Sequence, residues 1–189
     1  MRRGALRIRR ATRRDAATVF GLIRGLAEYE RLAHEMEATL ARLRRDGFGR
    51  RRYFDALLAR RGGAAVGFAL YYFTYSTFAG RPTLYLEDLF VRPEARGNGA
   101  GTALLRELAR IALRRGCGRM EWTVLDWNTP SIRFYRGLGA TLRREWILTR
   151  LSGAPLRRLA RRRRAPAVLT ARAARGAGPR PRAAAPRAR

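Results

Sequence analysis

The stretch LYLEDLFVRPEARGNGAGTALLRELARIAL, residues 84–113, decides the fold of this chain. Its first eight residues are typical of a β-strand, although Glu87 and Asp88 stand in the middle, and its last twelve repeat apolar residues at helical spacing. Three closely spaced glycines lie between the two. Free backbone amides at a helix start attract anions, and glycine lets an anion come close, so this strand–turn–helix unit indicates a phosphate-binding site.

The glycine spacing separates two kinds of phosphate site. A dinucleotide-binding fingerprint needs glycines at offsets 0, 2 and 5, but after Gly97 and Gly99 the required position is occupied by Thr102. The pattern Arg-x-x-Gly-x-Gly does fit, through Arg96, Gly99 and Gly101. Taken by itself, this pattern also suits an ordinary tight turn between a strand and a helix.

The segments on either side alternate between strand and helix patterns. A capping box, Thr12 with Asp15, predicts the start of the first helix, and Pro130 suits the first turn of a late one. Helical crossovers late in a chain favour parallel neighbouring strands, so we expect a mixed α/β domain. The predicted strands are 6–10, 51–59, 66–75, 84–91, 120–125 and 141–151, and a short last helix is predicted over 155–160.

Composition excludes several kinds of chemistry. The chain has 189 residues, 47% of them apolar, which suits one domain. All 42 basic residues are arginine against 14 acidic ones, a net charge of +28. Without lysine there is no Gly-Lys phosphate loop and no Schiff-base lysine. A single Cys117 and a single His34 exclude an internal disulfide and a zinc cluster, so we expect no metal site.

The C-terminal segment differs from the rest of the chain. Residues 154–189 contain 12 arginines and no acidic residue. We predict an ordered domain over 1–161 and a disordered tail over 162–189. A nucleic-acid or polyanion-binding arm is one interpretation of the tail. We favour the interpretation that the basic tail is a by-product of the arginine-rich composition of the whole chain and needs no special partner. Arginine is used throughout the sequence, and the tail lacks the aromatic residues of nucleic-acid-binding modules.

The apolar runs bear on location. No apolar run reaches the ~18 residues of a membrane span, and residues 1–14 lack the apolar stretch of a secretory signal. We therefore expect a soluble protein in the cytoplasm that does not bind membranes.

Four motifs together resemble one enzyme family. They are 67–75 (GFALYYFTY), 85–91 (YLEDLFV), 96–101 (RGNGAG) and 127–135 (WNTPSIRFY). Over about residues 5–150 the chain resembles the GNAT-superfamily N-acetyltransferases, and within them the diamine (spermidine/spermine) acetyltransferase branch. The resemblance implies the GNAT acyl-CoA N-acyltransferase fold, a mixed central sheet with splayed parallel strands flanked by helices. It also implies acetyl-CoA as co-substrate and a homodimer.

The resemblance implies roles for particular residues. Tyr135 matches the general acid that reprotonates the CoA thiolate, and a phenol is protonated at neutral pH. Glu87, acting through water, is our candidate base, because His34 has no catalytic neighbours in sequence, although another carboxylate stays open. The implied cofactor-binding residues are Leu89, Phe90, Val91, Arg96, Gly97, Asn98, Gly99, Ala100, Gly101, Thr102, Asn128, Ser131 and Phe134. The implied substrate-binding residues are Tyr29, Glu30, Glu87, Glu121, Trp122, Thr123 and Glu145.

The expected reaction is direct transfer of an acetyl group from acetyl-CoA to a small primary amine. Polyamines or diamines come first as acceptors, because Glu28, Glu30, Glu35 and Glu37 form an acidic patch in a basic protein, and small basic amino acids come second. Acetylation of proteins is an alternative within the same fold. A non-catalytic acyl-CoA-binding module with a nucleic-acid-binding tail is another, against which the presence of both Glu87 and Tyr135 argues.

Overall fold

The computed structural model describes residues 4–161, so the predicted tail over 162–189 lies outside the described residues. Within that range the chain forms two units that divide between Leu138 and Gly139. The elements of the first unit are β1 (Leu6–Arg10), α1 (Ala16–Tyr29), α2 (Leu40–Phe48), β2 (Asp55–Arg61), β3 (Ala64–Ser76), β4 (Arg81–Val91), α3 (Ala100–Arg114), β5 (Arg119–Glu121) and α4 (Thr129–Gly137); the second contains α5 (Gly153–Arg161).

The five strands form one mixed sheet in the order β1-β2-β3-β4-β5. Each of the first four strands pairs antiparallel with the next, and β5 pairs parallel with β4. Helices α1 and α2 pack on one face, where Leu22 and Leu43 join a core with Phe68 and Phe90. Helix α3 contacts the sheet through the buried side chains of Leu104, Leu105 and Leu108. The predicted mixed α/β sheet is confirmed.

Helix α1 has defined ends that bring Glu30 to the sheet. At its start Asp15 accepts hydrogen bonds from the Thr12 amide and hydroxyl, both 2.8 Å, and from Arg9, as the capping box predicts. At its end Arg31 takes a left-handed conformation with φ 61°, and the Leu32 amide bonds to the Ala27 carbonyl at 2.8 Å. The helix stops there, and Glu30 occupies its C-cap.

Strands β4 and β5 pair only over a short stretch. Residues 83–85 lie beside 119–121, where β5 ends, and β4 continues to Val91 with no strand partner on that side among residues 4–161. The second half of β4 therefore has an unpaired edge, at the place where the resemblance implies a gap between two parallel strands.

Strand β4 also contains a bulge opposite β3. Leu70 lies opposite Asp88, but the next residue, Tyr71, lies opposite Leu86, so Glu87 is the extra residue. The shift changes the direction of the side chains around it, as described below.

Four elements differ from their predicted bounds. The predicted strand 120–125 ends at Glu121, where its pairing with β4 also ends. The predicted strand 51–59 is displaced to β2. Residues 141–151 contain no strand in the structure; the consecutive apolar run Trp146-Ile147-Leu148 there does not keep the two-residue alternation of a half-buried strand. Helix α2 was not predicted, although Thr39 caps it by accepting a hydrogen bond from the Arg42 amide at 3.2 Å.

No helix among residues 4–161 is long and apolar enough to cross a membrane. The same residues contain no group of three or more His, Cys, Asp or Glu side chains placed to hold a metal ion.

Candidate active site

The turn between β4 and α3 uses two glycines in a conformation that other residues avoid. We call residues 96–102 the glycine loop. Gly97 has φ 71° and Gly99 has φ 79°, and Gly99 is the N-cap of α3. A Cβ at either position would meet no atom within 4 Å, so glycine is needed for its backbone conformation rather than for space.

Two carbonyls of the glycine loop accept hydrogen bonds from side chains. Arg61 donates to the Asn98 carbonyl at 2.8 Å, and the Asn98 side chain donates to the Arg96 carbonyl at 2.9 Å. The amides of 100–102 begin α3, where the first turn has no intrahelical acceptors. Donors, a helix start and arginine side chains therefore share one corner, which is the chemistry a pyrophosphate group requires. The residues implied for acetyl-CoA fit that group.

Tyr29 connects the end of α1 to the cofactor side. The Arg96 guanidinium lies 4.3 Å from the centre of the Tyr29 ring, a cation–π distance. The Tyr29 hydroxyl donates to Asn128 Oδ1 at 3.4 Å, and the same oxygen caps α4 by accepting from the Ser131 amide at 3.3 Å. Tyr29, which was predicted as a substrate residue, contacts two residues predicted for the cofactor, and its ring centre also lies 6.3 Å from that of Trp127.

Tyr135 is buried on α4 among aromatic rings. Only 8% of it is exposed, and its ring centre lies 5.1 Å from Trp122 and 5.4 Å from Phe134. Burial, with a smaller contribution from the negative charge of Glu30, raises the pKa of the Tyr135 hydroxyl to about 12. The hydroxyl is protonated at neutral pH and can donate, as the implied acid role requires.

Three carboxylates lie on the side of the sheet covered by α1. Glu87 is exposed and accepts a hydrogen bond from the Tyr72 hydroxyl at 3.3 Å. Asp88 is half-buried, and its burial together with the charges of Glu87 and Glu30 raises its pKa to about 7. Burial also raises the pKa of Glu30. Sequence reasoning named Glu30 and Glu87 but missed Asp88; two adjacent carboxylates in an otherwise apolar strand were the available signal.

The other predicted residues are placed less centrally. Phe134 lies near Gly101, whose added Cβ would be 3.4 Å from its ring, so the start of α3 lies close to the second half of α4. Glu121 pairs with Arg119 at 2.8 Å at the end of β5, and Thr123 follows it in an exposed, irregular segment. Glu145 belongs to the second unit, where its own backbone amide and Arg143 hold its pKa below the usual range. Leu89, Phe90 and Val91 follow the bulge along β4.

The sequence of this chain is similar to those of known acetyltransferases. The model of the acetyltransferase (GNAT) family matches residues 18–140. Thialysine N-epsilon-acetyltransferase of Mus musculus is 40% identical over 167 residues, covering 82% of this chain and 98% of that protein. Spermidine/spermine N(1)-acetyltransferase-like protein 1 of Homo sapiens is 40% identical over 140 residues, covering 70% of this chain and 20% of that protein.

A solved structure shares the fold. An integron cassette protein from the mobile metagenome of V. cholerae superimposes with a TM-score of 0.72 at 28% identity, covering 82% of this chain and 98% of that one. The family model covers well over half of the sequence, including the glycine loop, Glu87 and Tyr135. The chain therefore belongs to the acetyltransferase (GNAT) family.

Proposed function

We propose that this protein transfers the acetyl group of acetyl-CoA directly to a primary amine of a small dibasic compound, either a diamine or polyamine or a basic amino acid. The observation that carries the proposal is the cluster of Glu30, Glu87 and Asp88 on one face of the sheet, with the charge of Glu30 also acting on the buried Tyr135. Three carboxylates beside a proton donor suit an acceptor with more than one positive charge.

The large positive charge of the protein does not prevent binding of a cation. One carboxylate about 4 Å from an ammonium group contributes about 4 kcal/mol at an effective dielectric constant near 20. An arginine about 20 Å away opposes it by only about 0.2 kcal/mol in water, and salt reduces that further. Local carboxylates therefore decide acceptor binding, while the surplus of arginine attracts the anionic co-substrate.

Each part of the chain has a separate task in the transfer. Acetyl-CoA supplies an activated thioester. The amides of the glycine loop would hold its pyrophosphate, the unpaired edge of β4 would bond its pantetheine arm, and Asn128 and Ser131 would contact it at the start of α4. Tyr135 would donate its proton to the departing thiolate.

The relatives support a dibasic acceptor. The two curated relatives are named for thialysine and for spermidine and spermine. Each of these compounds carries at least two amino groups. A site for a second positive charge is consistent with both.

A pair of matched amines tests the proposal. The full chain is mixed with acetyl-CoA and either 1,4-diaminobutane or butylamine, which differ only in the second amino group, and thiol release is followed. Spermidine, lysine and thialysine extend the panel, and mass spectrometry identifies the products. We expect kcat/KM for the dibasic amines to exceed that for butylamine by at least about tenfold, equivalent to about 1.4 kcal/mol. Equal or greater activity with butylamine would reject a dibasic acceptor.

We also propose a cytoplasmic homodimer, on the strength of the family resemblance. Size-exclusion chromatography with light scattering measures the molar mass of the full-length protein. A mass corresponding to one chain would reject the homodimer.

A further inference from the structure

The bulge in β4 turns two consecutive carboxylates to the same face of the sheet. In a regular strand Glu87 and Asp88 would point to opposite faces. Asp88 lies opposite Leu70, which belongs to the core under α1, and Glu87 reaches the Tyr72 hydroxyl, two residues further along the same face of β3. The extra residue therefore places both carboxylates on the side where α1 ends.

The two carboxylates differ in their surroundings. Glu87 is exposed and already accepts a hydrogen bond from Tyr72. Asp88 is half-buried, and no hydrogen bond from residues 4–161 is directed to its carboxylate. The carboxylate oxygens of Asp88 are therefore free to accept a proton, and the partial burial of the side chain limits access of water.

The charged and titratable groups around Asp88 come from three other places. Glu30 at the end of α1 and Glu87 in β4 both act on it as negative charges. Tyr135 of α4 is reached by the charge of the same Glu30, and Tyr72 of β3 binds Glu87. The Arg96 guanidinium lies over the Tyr29 ring and 5.8 Å from the centre of the Phe90 ring, and it is not among the charges that act on Asp88. Asp88 thus has negative neighbours rather than a cationic partner.

Resting on the proposed function, we propose that Asp88, and not Glu87, is the catalytic base that removes the proton from the acceptor ammonium group, while Glu87 binds the positive charge of the acceptor. Sequence reasoning assigned the base to Glu87. The exposed position of Glu87 and its bond to Tyr72 suit binding of a cation. The enclosed, unbonded carboxylate of Asp88 suits removal of a proton.

Acetyl transfer begins with loss of a proton from the acceptor. The proton of the ammonium group passes to the Asp88 carboxylate, and the freed nitrogen pair forms a bond to the thioester carbonyl carbon. The carbon–sulfur bond breaks, and the thiolate accepts a proton from the Tyr135 hydroxyl. The tyrosinate is restored by the second proton that the nitrogen loses on becoming an amide, and Asp88 releases its proton to solvent. The net result is one amide, one thiol and one proton.

The acidity of Asp88 agrees with this role. A base works best when its pKa lies near the working pH, and burial with two negative neighbours raises the Asp88 pKa to about 7. A dication arriving beside Glu30 and Glu87 adds positive charge, which favours the ionised form of Asp88. Binding of the acceptor therefore increases the fraction of Asp88 that is ionised and able to accept a proton.

The test compares Asp88→Asn with Glu87→Gln, each measured as kcat and kcat/KM from pH 5 to 9 with the best amine of the panel. We expect Asp88→Asn to lower kcat by at least about 100-fold, the usual lower bound for a lost general base, and to remove the fall of kcat/KM below about pH 7. Glu87→Gln should raise KM more than it lowers kcat and should keep that fall. A purely structural role of Asp88 would not abolish the acidic limb selectively.

Opposite results would overturn the proposal. If Asp88→Asn keeps kcat within threefold of the wild type and retains the acidic limb, or if Glu87→Gln loses the limb, the base is not Asp88. Calorimetric binding of CoA to each variant checks that the fold is intact, and Asp88→Glu, which restores a carboxylate, should recover part of kcat if Asp88→Asn does not fold. A wild type that acetylates no amine rejects the proposed function itself, whereas an active wild type with an active Asp88→Asn variant rejects only the assignment of the base.

Discussion

The glycine loop and the carboxylate cluster contrast in how they are built. The loop is local: its glycines, its helix start and Arg96 lie within a few residues of one another, and its working groups are mainly backbone amides. The cluster is assembled from the end of α1 and a bulge in β4, which are 57 residues apart in sequence at Glu30 and Glu87. The side proposed to hold the co-substrate is encoded locally, and the side proposed to select the acceptor depends on tertiary packing. Variants can break each side separately.

The largest effect is expected where the two sides meet, at Tyr135. Tyr135→Phe removes only the proton donor, so it should lower kcat by at least about 100-fold, while calorimetry should find CoA affinity within about threefold of the wild type. Tyr53→Phe, at a tyrosine that is 71% exposed, is the matched control and should be silent. Unchanged turnover at pH 7 would remove Tyr135 from the mechanism.

The carboxylate cluster should reduce stability as the pH rises. The Asp88 pKa is 3.8 in model compounds and about 7 in the folded protein, so between these values the folded chain holds more protons than the unfolded one. Its contribution to stability is complete below about pH 4 and is lost as the pH rises through 7. Asp88→Asn should therefore raise the free energy of unfolding at pH 8 by about 2–4 kcal/mol.

Denaturant unfolding at pH 5 and pH 8 measures this effect. The gain from Asp88→Asn should be larger at pH 8 than at pH 5, and Asp126→Asn, at an exposed aspartate, serves as control. A gain that is the same at both pH values would contradict the raised pKa.

The glycine loop should fail when its left-handed N-cap is lost. Gly99→Val places a β-branched side chain at φ 79°, at a cost of about 1–3 kcal/mol, so CoA binding should weaken by about 10- to 100-fold. Gly21→Val, at an exposed helical glycine with free space around it, is the control. Calorimetry with CoA measures both, and equal affinities would show that the loop conformation is not needed.

Much of this fold could be predicted from local patterns. The capping box, the strand before the glycine loop and the proline at the start of α4 each predict the local structure from a few neighbouring residues. Helix α2 was missed because it is only nine residues long and rich in arginine, so few apolar residues mark its buried face. The bulge was missed because it depends on how β4 pairs with β3. The sequence of β4 by itself does not contain that information. For the same reason Glu87 could be named from a resemblance, whereas Asp88 needed the register of the sheet.

A smaller effect separates dibasic from monobasic acceptors. Glu30→Gln removes one charge from the cluster, so the KM for 1,4-diaminobutane should rise by about 5- to 10-fold and that for butylamine should change little. Glu28→Gln makes the same charge change on an exposed side chain two residues earlier and should have no such effect. Equal rises of KM for both amines would argue against Glu30 as a site for the second charge.

The smallest effect is expected from the arginine-rich segment beyond both sides. Removal of 162–189 should leave kcat/KM within about twofold, because distant charges are screened at physiological salt. Loss of turnover on truncation would require a role for that segment in the reaction. Gel-shift measurements with single-stranded nucleic acid before and after truncation test the polyanion-binding interpretation.

The contacts of Tyr29 have a consequence for how the two substrates affect each other. Arg96 of the glycine loop lies over the Tyr29 ring, Asn128 at the start of α4 accepts from the Tyr29 hydroxyl, and the charge of the neighbouring Glu30 acts on Asp88. We therefore expect a ligand that orders the glycine loop to order the segment around Glu30 as well. If one substrate tightens the other in this way, thermodynamic reciprocity makes the effect mutual and equal in factor. We therefore expect CoA and the amine to bind synergistically because of the contacts of Tyr29. The dead-end complex with both CoA and the amine should be more stable than the two separate affinities predict.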